Sequence, residues 1–183
     1  MNHTLLVKTP CILVALLGLS LAQATTISRG DYEAEKTRIA GDYKIDDTRC
    51  AALSGNGKDV CVQQAKASEK VSRADLEYRY TGTREDARKA MVARAEANYA
   101  VADEKCNALA GNGKDVCAQE AKAAESKALA DVKMGKEISE ARTDAAKEGR
   151  DADYKVAIER CDSYAGDTKA SCITAAKARF DKS

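Results

Sequence analysis

The stretch Cys106-Asn107-Ala108-Leu109-Ala110-Gly111-Asn112-Gly113-Lys114-Asp115-Val116-Cys117 decides the fold, because it occurs three times in one chain. The first copy runs from Cys50 to Cys61 and contains Gly55-Asn56-Gly57-Lys58-Asp59-Val60. The third runs from Cys161 to Cys172, where the centre has drifted to Gly166-Asp167-Thr168-Lys169-Ala170-Ser171. The likeness extends past the cysteines. Tyr43, Tyr99 and Tyr154 each stand seven residues before a first cysteine, and Asp42, Asn98 and Asp153 precede them. Ala65-Lys66-Ala67, Ala121-Lys122-Ala123 and Ala176-Lys177-Ala178 follow the second cysteines. The period is 56 residues and then 55, which marks an array of similar units. The expected division is a signal peptide over residues 1–24 and helical hairpin repeats over 25–81, 82–136 and 137–183.

Each unit reads as helix, tight turn, helix. In the middle one, Met91, Ala95, Tyr99, Ala102, Cys106 and Leu109 recur at near-heptad spacing and form one seam. Gly111 can enter the left-handed conformation and is expected to stop that helix. Asn112 is then the expected N-cap of the return arm, with Asp115 three residues on. Cys117, Ala121, Ala124, Ala128 and Asp131 or Val132 make the returning seam. The first unit repeats the pattern with Tyr32, Ile39, Tyr43, Cys50 and Leu53, then Cys61 and Ala65. Between the first two units, Thr81-Gly82-Thr83 is a break, with Thr83 an N-cap and Asp86 its partner. One period later Gly135 and Ser139 are the nearest signals. Proline is absent from 118–165, so a single long helix there is the alternative to six helices.

Cys106 lies five residues before Gly111 and Cys117 six after it. In a helical hairpin these positions are level across the turn. Alanine neighbours allow the close approach a disulfide needs. The expected pairs are therefore Cys50–Cys61, Cys106–Cys117 and Cys161–Cys172. In a rival arrangement each pair sits on one unbroken helix and bridges to another helix or chain, as in mitochondrial twin-cysteine hairpins. The two glycines between the cysteines oppose it, at about 1 kcal/mol each.

Composition places the array. Lys8, the apolar run Cys11–Leu21 and Ala22-Gln23-Ala24 form a signal-peptide pattern with cleavage expected after Ala24. The run is about half the length a bilayer crossing needs. Six cysteines in three pairs behind an export signal imply an oxidising compartment, periplasmic or extracellular. From residue 25 onward Leu, Ile, Val and Phe number only 19, while alanine numbers 32. That favours long thin helices over a thick core. Without Lys8, basic and acidic residues balance at 29 each, which argues against nucleic acid as a partner.

Chemistry finds little purchase. The one histidine, His3, lies in the leader, so the usual general base and metal ligand is missing from the rest. The cysteine spacing matches no common zinc pattern. Gly111-Asn112-Gly113-Lys114 lacks the length of a phosphate loop and the strand before it. No catalytic, cofactor-binding or metal-binding residue is expected, and no cofactor. Charged runs such as Arg84-Glu85-Asp86 read as solvated helix faces.

The signal peptide, the Ala/Lys/Glu/Asp-rich helices and the repeated Cys-x10-Cys motif with Ala-Gly-Asn-x-Lys-Asp-x-Cys resemble a group of exported proteins of beta-proteobacteria. In composition the helices are similar to the periplasmic helical linker of the Tol envelope system. Neither resemblance carries a functional residue over to this chain. The expectation is an all-α, exported, disulfide-stapled repeat protein acting as a non-catalytic scaffold or interaction protein of the cell envelope. Its expected partner is another protein or a second copy of itself. The alternative is a small binding module with Tyr43, Tyr99 and Tyr154 lining a site between hairpins.

Overall fold

The computed structural model describes residues 26–182; the signal-peptide reading falls outside them. Five helices follow one another: α1 (Arg29–Ala51), α2 (Gly55–Thr81), α3 (Arg84–Cys106), α4 (Gly111–Cys161) and α5 (Gly166–Arg179). No strand occurs among the described residues, and none of the described helices is long and apolar enough to cross a membrane. Each helix packs only on its neighbours in sequence. The helices therefore form a row rather than a bundle, an arrangement in which each unit is stabilised by its neighbours alone.

Disulfides Cys50–Cys61, Cys106–Cys117 and Cys161–Cys172 close the α1–α2, α3–α4 and α4–α5 turns. Their Cα separations of 5.5, 5.6 and 5.6 Å lie within the ordinary disulfide range. The three turns share one hydrogen-bond pattern. Leu53, Leu109 and Tyr164 each donate a backbone N–H to the carbonyl of the first cysteine, at 3.0, 3.0 and 3.1 Å. Gly55, Gly111 and Gly166 then adopt φ of 56°, 53° and 56°, which a side chain would oppose.

Three details differ from the sequence expectation. Gly111 does take the left-handed conformation, but it opens α4; α3 has already ended at Cys106, capped through the backbone of Asn107. Asn112 is not the N-cap: that position is Ala110, with no side-chain hydrogen bond. Leu109, placed on the seam by its spacing, lies beyond the end of α3 and is exposed.

The core is as thin as the composition implies. Its buried apolar residues are Ile39, Leu76, Cys50, Cys106, Cys161 and a set of alanines that includes Ala90, Ala93 and Ala97. The first cysteine of each pair is the most deeply buried residue of its hairpin. Alanine on facing helices lets the backbones approach, and the disulfide fills the gap at the turn.

The α2–α3 connection has no disulfide and is held by polar chemistry. Gly82 caps α2 at φ 65°. Thr83 Oγ1 accepts from the Asp86 N–H at 3.0 Å. The Asp86 carboxylate accepts from Thr81 Oγ1 and Thr83 Oγ1, both at 2.7 Å, and from Lys89 Nζ at 2.8 Å. Asp86 is thus a buried capping residue, not part of a solvated face.

Six helices become five because α4 continues unbroken through Gly135 and Gly149 for 51 residues, about 75 Å. The boundary drawn between residues 136 and 137 lies inside it. The reason is in the repeat itself. One period beyond Gly82, Thr83 and Asp86, counted from the third pair of cysteines, stand Glu137, Ile138 and Ala141. They offer neither a left-handed glycine nor an N-cap acceptor. Gly135 and Ser139 are spaced wrongly to replace them.

Two outcomes follow for stability. α5 has only 14 residues, marginal for a helix alone. It is held by its disulfide, by the Tyr154–Phe180 ring contact at 6.0 Å and by Lys182–Asp151 at 2.6 Å. Replacing Cys161 and Cys172 by alanine should cost about 3 kcal/mol at that turn. Hydrogen exchange should then show α5 amides unprotected, with α1–α3 unchanged. The second outcome concerns pH. Hydrogen bonds from Lys89, Thr81 and Thr83 hold the Asp86 carboxyl down to about 2, below its ordinary value of about 3.9. Its contribution to stability is therefore complete above pH of about 4 and is lost as pH falls from about 4 towards about 2. The melting temperatures of the wild type and Asp86→Asn should differ above pH of about 4 and converge below it.

Candidate functional site: an open groove between α3 and α4

Away from their disulfide, α3 and α4 splay. Ala95 is buried and Tyr99 and Ala102 are half-buried near the staple, but Met91, two turns earlier than Tyr99, is 54 % exposed. The sequence placed Met91 on the seam. The splay instead leaves it on the wall of a groove of about 800 Å³. Arg84, Glu85 and Arg88 line it from α3, and Asp131, Val132, Gly135, Lys136, Ser139 and Glu140 from α4. Gly135 thus serves as a thin place in the wall rather than as a helix stop.

The groove carries charges along its edges. Arg88 donates Nε to Glu85 Oε2 at 3.0 Å and its second guanidinium nitrogen to Glu85 Oε1. Arg84 Nη1 donates to Ser139 Oγ at 2.9 Å across the groove. Hydrogen bonding to Arg88 lowers the Glu85 carboxyl and raises the Arg88 guanidinium. Both groups are consequently fixed in their charged forms at neutral pH, suited to pairing and poorly suited to proton transfer. Met91 and Val132 supply an apolar strip between the charges. Such a groove can accept an extended or helical segment with charges on its edges.

The repeated tyrosines are not gathered in one place. Tyr43 lies on α1, Tyr99 on α3 and Tyr154 on the far part of α4, each half-buried. Lys122 Nζ stands 4.9 Å from the Tyr99 ring centre and Lys182 Nζ 5.8 Å from that of Tyr154. These contacts hold Tyr99 and Tyr154 each within its own hairpin. A different tyrosine, Tyr32, stacks at 4.6 Å on Tyr80 and donates its hydroxyl to Glu77 at 2.9 Å, tying α1 to α2. The six cysteines among the described residues are all committed to disulfides. No group of three or more His, Cys, Asp and Glu side chains among the described residues is placed to hold a metal ion.

The groove could not be found from the sequence, because it depends on where two helices part. The only available signal was the Met91 position, a large apolar residue within an alanine-rich stretch.

Comparison with known protein families, with curated proteins and with solved structures finds no match to this chain.

Removal of the Arg88 guanidinium tests the groove's electrostatics. In Arg88→Ala the Glu85 carboxyl should rise to an ordinary glutamate value of about 4.3, read by carboxyl-carbon NMR titration. An unchanged Glu85 titration would show that the pair does not exist in solution.

Proposed function

We propose that the chain is an exported, non-catalytic scaffold or interaction protein of the bacterial cell envelope, periplasmic or secreted. The observation that carries this reading is the combination of three disulfide-closed turns with helices that touch only their sequence neighbours. Disulfides used this regularly belong to an oxidising compartment. They agree with the leader pattern at residues 1–24 and with the resemblance to exported beta-proteobacterial proteins. A row of helices encloses little volume and displays much surface. That suits spacing and docking more than it suits substrate enclosure, since catalytic and small-molecule sites are usually deep and concave.

The groove beside Met91 fits the same role, as an open docking place for a protein segment. The binding-module alternative draws on it too, although its expected tyrosine lining is absent there: Arg84, Arg88, Asp131 and Lys136 set its chemistry instead.

Solution X-ray scattering on the oxidised protein tests the reading. A compact chain of this size would have a radius of gyration of about 15 Å. The scaffold requires a value well above that, with a cross-section only one or two helices thick. A radius near the compact value would favour the binding module.

A further inference from the structure

We propose that α4 carries a self-association surface on which a second copy of this chain packs its own α4 in antiparallel. The surface is a strip that faces away from both α3 and α5. Val116, Met134, Ile138 and Val156 are its large apolar residues, each between 45 and 53 % exposed. Their spacings are eighteen, four and eighteen residues. Eighteen residues are five full turns, so all four share one face. Ala121 and Cys161, the buried residues of α4, follow Val116 and Val156 by five residues, about 140° round the helix. The strip is therefore not a fringe of the existing contacts.

Elsewhere in the same chain the counterparts of the strip's two ends are already an interface. On α2, Val60, Ala67 and Ala74 are half-buried. One period later stand Val116, Ala123 and Ala130, all exposed. On α3, Ala90 and Ala97 are buried and Val101 half-buried on the side away from Cys106, toward α2. One period later stand Ala145, Ala152 and Val156, all exposed. Both halves of the α2–α3 interface are thus written again along α4. They cannot meet within one molecule, because α4 does not turn where α2 and α3 do.

The polar contact that sets the α2–α3 register shows the same separation. Asn56 Nδ2 donates to the Glu104 carbonyl at 3.1 Å. The counterparts are Asn112 and Glu159, the same residue types. On a straight helix they lie about 70 Å apart, so only another molecule can bring them together. An antiparallel second α4 does this twice, once at each end. The exchange of one repeat's arm between copies is a low-cost route to a dimer.

The strip is also self-complementary. Val116 and Val156 stand twenty residues either side of Lys136, and Met134 and Ile138 stand two either side. A two-fold axis at that level sets each against its counterpart on the other copy. Asp131 and Arg142, on one border of the strip, stand five before and six after Lys136. The same axis brings each Asp131 level with the Arg142 of the second copy. The inference is independent of the envelope role, since it needs only the oxidised chain.

Light scattering coupled to size-exclusion chromatography tests it on the oxidised protein. The wild type should elute at twice the chain mass. Met134→Glu/Ile138→Glu should elute at a single chain mass with unchanged helical circular dichroism. Asp131→Arg should weaken the dimer at least tenfold, and Asp131→Arg/Arg142→Asp should recover it. A wild type that stays monomeric at its highest soluble concentration overturns the inference, as does a dimer that survives the double glutamate substitution. Direction is read by mixing Val116→Cys with Val156→Cys proteins under oxidising conditions. Cross-linking between the two variants supports the antiparallel pair, and cross-linking of Val116→Cys only to itself overturns it.

Discussion

Each disulfide-closed turn solves a problem set by the composition. Helices built on alanine bury little apolar area, so a two-helix hairpin gains little from the hydrophobic effect alone. The cysteine pair removes conformations from the unfolded chain and fixes the two arms level with each other. Once Cys106 and Cys117 are joined, the small residues between α3 and α4 face one another without further specification. Ala95 and Ala121 are buried in consequence, although neither would hold a seam alone. The same constraint explains the splay. Close approach is enforced at the staple and only there, so by Met91 the helices have parted and the groove opens.

The one unstapled connection shows what the staple replaces. Between α2 and α3 the chain uses Gly82, Thr83 and Asp86, together with Lys70–Glu96 and Arg94–Asp75 ion pairs at 2.5 and 2.6 Å. Exposed pairs of that kind contribute little individually; the capping network and the alanine contacts of Ala90, Ala93 and Ala97 do more. One period later the capping residues are gone, and the helix runs on. A helix continues wherever nothing stops it, so the replacement of three residues converts a turn into the middle of a 51-residue rod. The region from Ala141 to Arg150 is exposed on all sides and is kept helical by the cooperativity of its own backbone hydrogen bonds.

This difference separates what the sequence made legible from what it did not. The hairpins, the three cysteine pairings and the Thr83–Asp86 cap could be read, because each depends on a few residues at fixed local spacing. The Gly111 conformation was also legible, but its place in the turn was not. Whether a left-handed glycine ends one helix or opens the next depends on where the backbone carbonyls find partners, here three residues after Cys106. The number of helices depended on recognising an absence: Gly135 and Ser139 drew attention as break signals, while the positions that answer to Gly82, Thr83 and Asp86 are Glu137, Ile138 and Ala141, which stop nothing. The groove and the burial of Asp86 depend on the angle between helices, to which a seam pattern is blind.

A row of helices has consequences that a bundle does not. Stability is passed only between neighbours, so each hairpin depends on its own staple and on one adjoining face. Every interior helix then needs two contact faces at a fixed angle, as α2 and α3 have. α4 has the sequence for two faces along its whole length, yet it uses only the one that meets α3 and α5. In a chain so poor in large apolar residues, Val116, Met134, Ile138 and Val156 on the other face are a substantial part of the supply. Their spacing keeps them in line over about eleven helical turns. Random surface placement would scatter them around the rod. That alignment, rather than any pocket, is the most specific surface feature the fold presents.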